Sequence, residues 1–462
     1  MSAAPLPGLR QITEPARAID VVHETDVLVV GSGPGGLGAA LGAARAGART
    51  TLLERHGCFG GNITAVGVET FAWYRHEQTQ DSVGIGNEIE ARARAAGATS
   101  DESQSTSQAF DAERFKVVAD RLVEENGITP MLHRTFVAPI VEGGVVRGVI
   151  TESKSGREAI LAQRVVDATG DADVAYRAGA PTRKTPREEM LSASVVFSMA
   201  GVDKRAFLDA IREDAPTYRS WGGNAEWDIA TDGKEDDLFS PFLRKPFQKA
   251  VDAGLIPSRL ATLAGTYGAV HDSGDLTYLN LIHIDEVDGT SADELCRAEI
   301  EGRRQAMHAI EALRAFMPGC ERATLRNFGM TLGLRDTRKI DAAYNLTADD
   351  VRGEARFEDS IGIFPEFIDG YGVLILPTTG RYFHVPYRAL VPKGVEHLLV
   401  AGRSIGGDKI SHAAVRSMTC CTVSGQGAGV AAAVSIREDA GVAEVGVGKV
   451  RAELARQGVR LD

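Results

Sequence analysis

Three features of the chain predict an α/β protein whose first domain is interrupted by an inserted α+β segment. Residues 25–54 run strand, glycine turn, helix, strand and acidic end without a break. Two later segments, near residues 165–171 and 398–403, repeat the motif of an apolar strand running into a glycine-bearing turn. Between about Leu191 and Pro386 the texture changes to longer helices and strands of alternating polarity. Together they place a discontinuous Rossmann-like domain at residues 1–190 and 385–462 and an inserted substrate or cap domain at 191–384.

In the opening unit, Val27, Leu28, Val29 and Val30 form a short apolar strand, and Gly31, Gly33 and Gly36 then supply a G-x-G-x-x-G turn with Pro34 and Gly35 inside it. The first glycine permits the tight turn, the second lets a diphosphate approach the backbone, and the third lets the next helix lie close to the strand. That helix, Leu37 to Ala46, is built of alanine, glycine and leucine, and Gly47 is placed to end it. Its N-terminus offers free N–H groups and positive dipole to an anion. Thr50 to Leu53 is the second strand, and Glu54 at its end is placed to accept hydrogen bonds from ribose hydroxyls, which argues against a 2′-phosphate.

Farther along, residues 86–96 read as a helix and Thr99 to Ser107 as a polar connection. Phe115, Val118 and Leu122 give Phe110 to Asn126 a helical spacing, and Thr129 to Leu132 a short strand follows. A meander is predicted over Thr135 to Val141, Val145 to Glu152 and Glu158 to Leu161, with hairpin signals at Gly143-Gly144 and Ser155-Gly156. Arg164 to Ala168 reads as a separate strand. In the insertion, strands are expected at Ala193 to Met199, Thr277 to Ile284 and Gly372 to Leu376, and helices at Arg205 to Glu213 and Phe242 to Ala253. The strongest helix runs from Ala292 to Phe316, opened by a Ser291/Glu294 capping box and stopped by Pro318-Gly319. His397 to Ala401 is a last strand, and Thr419 to Ser435 a helix of small residues.

Composition excludes several classes of function. A chain of 462 residues, 44% hydrophobic and 25% charged, has a globular make-up and a sizeable core. Its net charge of −12 disfavours nucleic acid and anionic membrane as partners. Five cysteines, odd in number and without C-x-x-C spacing, indicate neither zinc nor iron–sulfur, so no metal is expected and a reducing cytoplasm fits. Residues 1–24 hold prolines and charges rather than a continuous apolar core, unlike a signal peptide. Thr419 to Ile436 carries Ser424, Gln426 and several glycines, which suits a buried helix better than a membrane span.

The three strand-and-turn segments, Val27 to Gly36, Val165 to Asp171 and Leu398 to Arg403, have the character of one cofactor cradle assembled from remote parts. With ERHGCFGGNIT (54–64), VVDATGDADVAYRAGAP (165–181), AEIEGRR (298–304), LGLRDTRKI (332–340), FHVPYRALVPKGVEHLLVAGRSI (383–405) and GQGAG (425–429), nearly the whole chain resembles the two-dinucleotide-binding-domain flavoproteins. More narrowly, it resembles the broad FAD-dependent oxidoreductase family related to fumarate reductases and heterodisulfide reductase flavin subunits. The resemblance implies FAD extended across the first domain, its flavin ring at the junction with the second. Carried over, Glu54, with Arg55 beside it, holds the adenosine ribose, and Gly60, Gly61 and Asn62 follow the phosphates toward the ring. Val137 frames the adenine through its backbone, Gly170 and Asp171 close over the nucleotide, and Gly402 and Arg403 contact the diphosphate and ribityl chain. Met418 and Thr419, opening the last helix, face the pyrimidine edge, where N–H groups stabilise anionic reduced flavin.

Hydride transfer to a flavin needs a base for the accompanying proton, commonly His or Tyr. His384 and Tyr387, in the strand returning from the insertion, and His412 and Arg416, between the third turn and the last helix, are the catalytic candidates. Trp73 and His76, with Arg335, are candidates for the substrate wall, although arginines such as Arg335 and Arg338 more often form a solvated or salt-bridged face. Cys58 beside His56 raises a covalent flavin link, against which packing is the stronger reading. Asp167 is equally well read as a turn residue. No second G-x-G-x-x-G unit follows a strand, so a built-in NAD(P)H domain is not expected. The expected activity is hydride transfer from a small organic substrate to FAD, with oxygen or a separate electron-acceptor protein taking the electrons; a homo-oligomer stays open. Two other readings also stand: a flavin enzyme without net redox change (isomerase, hydratase or lyase), and an electron-transfer subunit, which ordinarily carries clustered cysteines.

Overall fold

The computed structural model describes residue 10 and residues 12–71, 75–76, 79–101, 107–218, 228–229 and 238–462. Its centre is a mixed sheet of seven strands: β1 (Asp20–Val30), β2 (Thr50–Leu53), β3 (Thr129–Met131), β4 (Thr135–Glu142), β5 (Val145–Ser153), β6 (Gly156–Asp167) and β7 (Leu398–Val400). The order is β3-β2-β1-β6-β5-β4, with β7 also on β6. Strands β3, β2, β1, β6 and β7 are parallel, whereas β4 and β5 form an antiparallel meander. The sheet therefore makes a Rossmann-type α/β core.

Alternation along the parallel strands sends side chains to two faces. Val27, Val29, Leu52, Val166 and Leu399 join the core formed with helices α1 (Pro34–Arg45), α2 (Ala112–Glu125) and α4 (Met418–Arg437), while Leu28, Val30, Leu53, Val165, Leu398 and Val400 join a second cluster on the opposite face. Asp111 caps α2 by accepting from the N–H groups of Glu113 and Arg114. The antiparallel pair Ser360–Pro365 and Tyr382–Pro386 packs Ile361, Phe364, Phe383 and Val385 into the first of these cores. A third cluster is built on helix α3 (Ala292–Phe316) and a three-stranded antiparallel sheet of Leu276–Leu279, Phe197–Ala200 and Thr324–Phe328.

Three sequence expectations are corrected. The two strands read at residues 158–161 and 164–168 are one, β6, which pairs with β1 along its whole length and exchanges β5 for β7 near Gln163. The polar Gln163-Arg164 pair mimics a break, but the Arg164 guanidinium turns inward to Ser435 Oγ (2.8 Å) and the Ala440 carbonyl (2.7 Å), tying β6 to the end of α4. Phe242-Leu243 is a short strand, and the helix begins only at Lys245, with Pro246 in its first turn. Ser291 does cap α3, yet Glu294 does not close the box and instead accepts from the Asp288 N–H at 2.8 Å.

Glu69 is buried, with the Thr277 hydroxyl donating to it at 2.6 Å, and burial pushes its pKa from 4.5 up to about 8. Between those values the native state binds a proton that the unfolded chain releases, so this contribution to stability is lost as pH rises. Glu69→Gln is expected to remove that loss and to exceed the parent, above about pH 8, by on the order of 4 kcal/mol. Urea midpoints at about pH 5 and about pH 9 check it; equal midpoints for the two proteins at the higher pH contradict it.

Candidate functional site

The turns that end β1, β2, β6 and β7 open into one cleft at the carboxyl edge of the sheet. Gly31 and Gly36 are spaced by contact: a Cβ on Gly36 would meet the Gly31 carbonyl at 1.9 Å, and one on Gly31 the Ala168 carbonyl at 2.4 Å. At Gly33 the case is reversed, because a Cβ there meets nothing within 4 Å and projects into open space. Gly33 caps α1, whose first N–H groups after Pro34 belong to Gly35 and Gly36 and have no partner within the helix. A Cβ on Gly61 would come 2.5 Å from the Gly33 Cα, so the 60–62 loop lies directly on the glycine turn.

Glu54, 5% exposed, accepts from Ser32 N–H (3.0 Å), Ser32 Oγ (2.7 Å) and His56 N–H (3.0 Å), leaving room for one more donor. Across the cleft, Asp171 pairs with Arg403 Nη2 at 2.7 Å and accepts from Thr337 Oγ1 at 2.8 Å, while Arg403 Nε is buried without a partner. Asp167 is an anchor beneath this turn: one oxygen accepts from the N–H and hydroxyl of Thr169, the other from the Ala175 N–H, and burial pushes its pKa up to about 6. The bare backbone at Gly33, the free N–H groups of α1, the buried Glu54 carboxylate with acceptor capacity to spare and the unpartnered Arg403 nitrogen fit a dinucleotide in diphosphate, sugar and charge.

A second cavity, about 440 Å³, adjoins the cleft and shares Asn62, Leu334, Arg335, Arg416 and Met418 with it. Arg335 donates to the Ser192 carbonyl (2.7 Å), Ser194 Oγ (2.7 Å) and Asn280 Oδ1 (3.2 Å). Arg416 pairs with Asp369 at 3.1 Å and also reaches its carbonyl, leaving Nε buried and unpartnered. His283 is open to the cavity with Nε2 at 3.2 Å from the Ala264 carbonyl; crowding by protein, then the Arg335 charge, pushes its pKa down. Tyr278 stands in the wall with φ of 51°, backbone strain of the kind that gathers at functional sites. The N-terminus of α4 presents Ser417 and Met418 to this space.

Of the cofactor residues read from sequence, Gly31, Gly33, Pro34, Gly35, Glu54, Arg55, Gly61, Asn62, Gly170, Asp171, Gly402, Arg403 and Met418 line the cleft. Gly36 and Gly60 lie behind it, Gly60 donating its N–H to the Ser32 carbonyl. Val137 is not in the wall: its carbonyl accepts from Arg177, and Arg134, Thr135 and Phe136 line the cleft instead. Thr419 lines neither space.

The catalytic candidates fare worse. His384 is buried in the Ser360–Pro365 and Tyr382–Pro386 ribbon, its Nδ1 accepting from the Phe357 N–H at 3.1 Å, and Tyr387 is buried with its hydroxyl on the Val442 carbonyl at 2.6 Å. His412, 1% exposed, is clasped between the Arg403 and Arg335 carbonyls at 3.1 and 2.9 Å; burial and the Lys339 ammonium disfavour its charge. None of the three lines either space, and only Arg416 does. Arg335 reaches both; Trp73 lies outside the described residues, as does the His76 side chain. Cys58 faces Thr64 Oγ1 at 3.6 Å and does not line the cleft, whereas burial pushes the Cys421 thiol up to about 12, so Cys421 is not poised as a thiolate. The sequence did not single out His283, which lines the second cavity, although a histidine between Ile282 and Ile284 was a legible signal.

Fold and cleft together define a flavin-dinucleotide protein of the Rossmann type. The FAD dependent oxidoreductase family model matches residues 26–454, and the chain belongs to that family, with FAD as its cofactor. A soluble pyridine nucleotide transhydrogenase of Chromohalobacter salexigens is 42% identical over 59 residues, 13% of this chain and 13% of that relative's own length. Among solved structures, a geranylgeranyl bacteriochlorophyll reductase-like protein from Thermoplasma acidophilum is 14% identical, covering 94% of this chain and 84% of that one, with a TM-score of 0.49. The glycerol-3-phosphate dehydrogenase of Bacillus halodurans, solved with FAD, is 18% identical over 40% of this chain and 41% of its own, with a TM-score of 0.30.

Proposed function

We propose that the protein oxidises a small organic substrate held in the second cavity, with oxygen or a separate carrier as final acceptor. The observation that supports this most directly is the shared wall of Asn62, Leu334, Arg335, Arg416 and Met418, which puts a substrate-sized space against the cofactor cleft. Bound FAD supplies the two-electron acceptor that no side chain provides. The glycine turn and the first turn of α1 hold its diphosphate, Glu54 its ribose, and Arg403 a phosphate oxygen. The N-terminus of α4, at Met418, stabilises negative charge where the two spaces meet.

His283 is the base in this reading. With its Nε2–H donating to the Ala264 carbonyl, Nδ1 keeps a lone pair, and the lowered pKa leaves the ring neutral at neutral pH. It takes the proton that a substrate hydroxyl or amine releases as the carbon gives up its hydride. His283→Ala is expected to slow flavin reduction by on the order of 10²- to 10⁴-fold with FAD content unchanged. Anaerobic stopped-flow bleaching with alcohols, amines and hydroxy acids measures it. Rapid reduction by NAD(P)H alone, with no organic donor active, overturns the reading.

A further inference from the structure

We propose that the second cavity selects an organic carboxylate with an apolar body, an inference that rests on its being the substrate site. Among the described residues that line it, three side chains carry a permanent positive charge, Arg244, Arg335 and Arg416, against one carboxylate, Asp369. Arg416 takes that carboxylate, at 3.1 Å. Arg335 is left with neutral acceptors only, the Ser192 carbonyl, Ser194 Oγ and Asn280 Oδ1, and Arg244 lies over the Phe242 ring at 5.5 Å. A guanidinium recessed in protein with no carboxylate in direct contact is costly, and an arriving anion lowers that cost.

Two further features carry the same sign. Arg416 Nε is buried with no partner, a donor already drawn out of water. The N-terminus of α4 brings Ser417 and Met418, and with them the positive end of a 20-residue helix, to the same wall. Guanidinium groups match a planar carboxylate through paired N–H donors, which a neutral amide or an alcohol cannot reproduce. Among polar groups such as Ser192, Thr262, Thr266 and Asn280, the lining also carries Phe242, Phe367, Leu374 and Leu376, an apolar stretch that suits an anionic head attached to hydrocarbon better than a free inorganic ion.

The test titrates FAD-loaded protein at low salt with benzoate, benzamide and inorganic phosphate, following the visible flavin band and the heat of binding. Benzoate is expected to bind at least about tenfold tighter than either of the others, a difference of about 1.4 kcal/mol. Arg335→Gln and Arg244→Gln, at parental FAD content, are each expected to weaken benzoate about tenfold and leave benzamide unmoved. Should Arg335→Gln fail to fold, the half-exposed Arg244 decides alone. Equal binding of benzoate and benzamide overturns the proposal, as do phosphate binding as tightly as benzoate, no saturable benzoate binding, or variants that bind like the parent. These titrations need no turnover. Arginine-dependent benzoate binding in a protein that no organic donor reduces would sink the oxidation reading alone, whereas reduction by neutral donors without arginine dependence would sink this one alone.

Discussion

Gly33→Val is expected to give a folded protein without colour. The backbone at Gly33, φ −61° and ψ −177°, is open to any residue, and a Cβ there meets no protein atom within 4 Å. The valine therefore costs the fold little. Its branches project into the open space before the first turn of α1, where the diphosphate must approach bare backbone. FAD affinity is expected to fall by at least about 10³-fold, roughly 4 kcal/mol. The ratio of visible to ultraviolet absorbance after incubation with FAD measures the loss, and far-ultraviolet circular dichroism confirms the fold. The melting temperature is expected to drop only to that of the parent stripped of FAD, since the variant loses the stabilisation that ligand binding confers and nothing else. A yellow Gly33→Val protein at the parental ratio would mean that the diphosphate does not cross this turn. Gly36→Val makes the contrast, since its Cβ would lie 1.9 Å from the Gly31 carbonyl and break the turn itself.

The same distinction between local and distant information separates what the sequence disclosed from what it hid. The strand, turn, helix and strand read at residues 25–54 are all present, although β1 already begins at Asp20, ahead of the apolar run Val27–Val30, and α1 at Pro34 rather than Leu37. Each is specified by its own residues: apolar run, glycine spacing, small-residue helix. The cleft was legible in part for that reason, as the turns after β1, β2, β6 and β7 directly follow their strands, whereas the lining from the 331–335 segment and from Arg416 does not. The catalytic candidates failed because nearness along the chain was taken for nearness in space. His384 alternates inward on its ribbon, Tyr387 follows it into the core, and His412 is turned by its short helix toward two backbone carbonyls. The second cavity is drawn from segments around residues 62–70, 191–196, 242–283, 333–335, 367–376 and 416–418, whose meeting only tertiary packing decides. Arg335 shows the boundary. Its run LGLRDTRKI marked it, while the three neutral acceptors that leave its charge unbalanced belong to Ser192, Ser194 and Asn280, over fifty residues away.

Gly429→Val is expected to prevent folding, through a contact that composition alone cannot specify. A Cβ on Gly429 would lie 1.9 Å from the Ala39 carbonyl, and one on Gly425 2.1 Å from the Gly35 carbonyl; from the other side, Gly38 faces the Thr422 carbonyl at 2.7 Å and Gly42 that of Gln426 at 2.9 Å. Helices α1 and α4 thus touch backbone to backbone, and no side chain there is free to yield. This explains why α4, long and apolar enough by length and composition to cross a membrane, is 94% buried in its apolar window: its glycines serve a helix–helix seam in the core. Forcing a branched side chain into that seam is expected to cost more than about 4 kcal/mol, a large part of a typical folding free energy. Urea denaturation of whatever soluble material survives tests this against Gly448→Ala, whose Cβ meets nothing within 4 Å and whose effect is expected to stay within about 1 kcal/mol. A parental midpoint for Gly429→Val would mean the two helices do not meet as described. The seam also reaches the chemistry, because Gly425 rests on the Gly35 carbonyl, one residue into the turn that grips the diphosphate. Gly425→Ala, if it folds, is therefore expected to weaken FAD as well as stability, whereas a seam unconnected to the cleft would move stability alone.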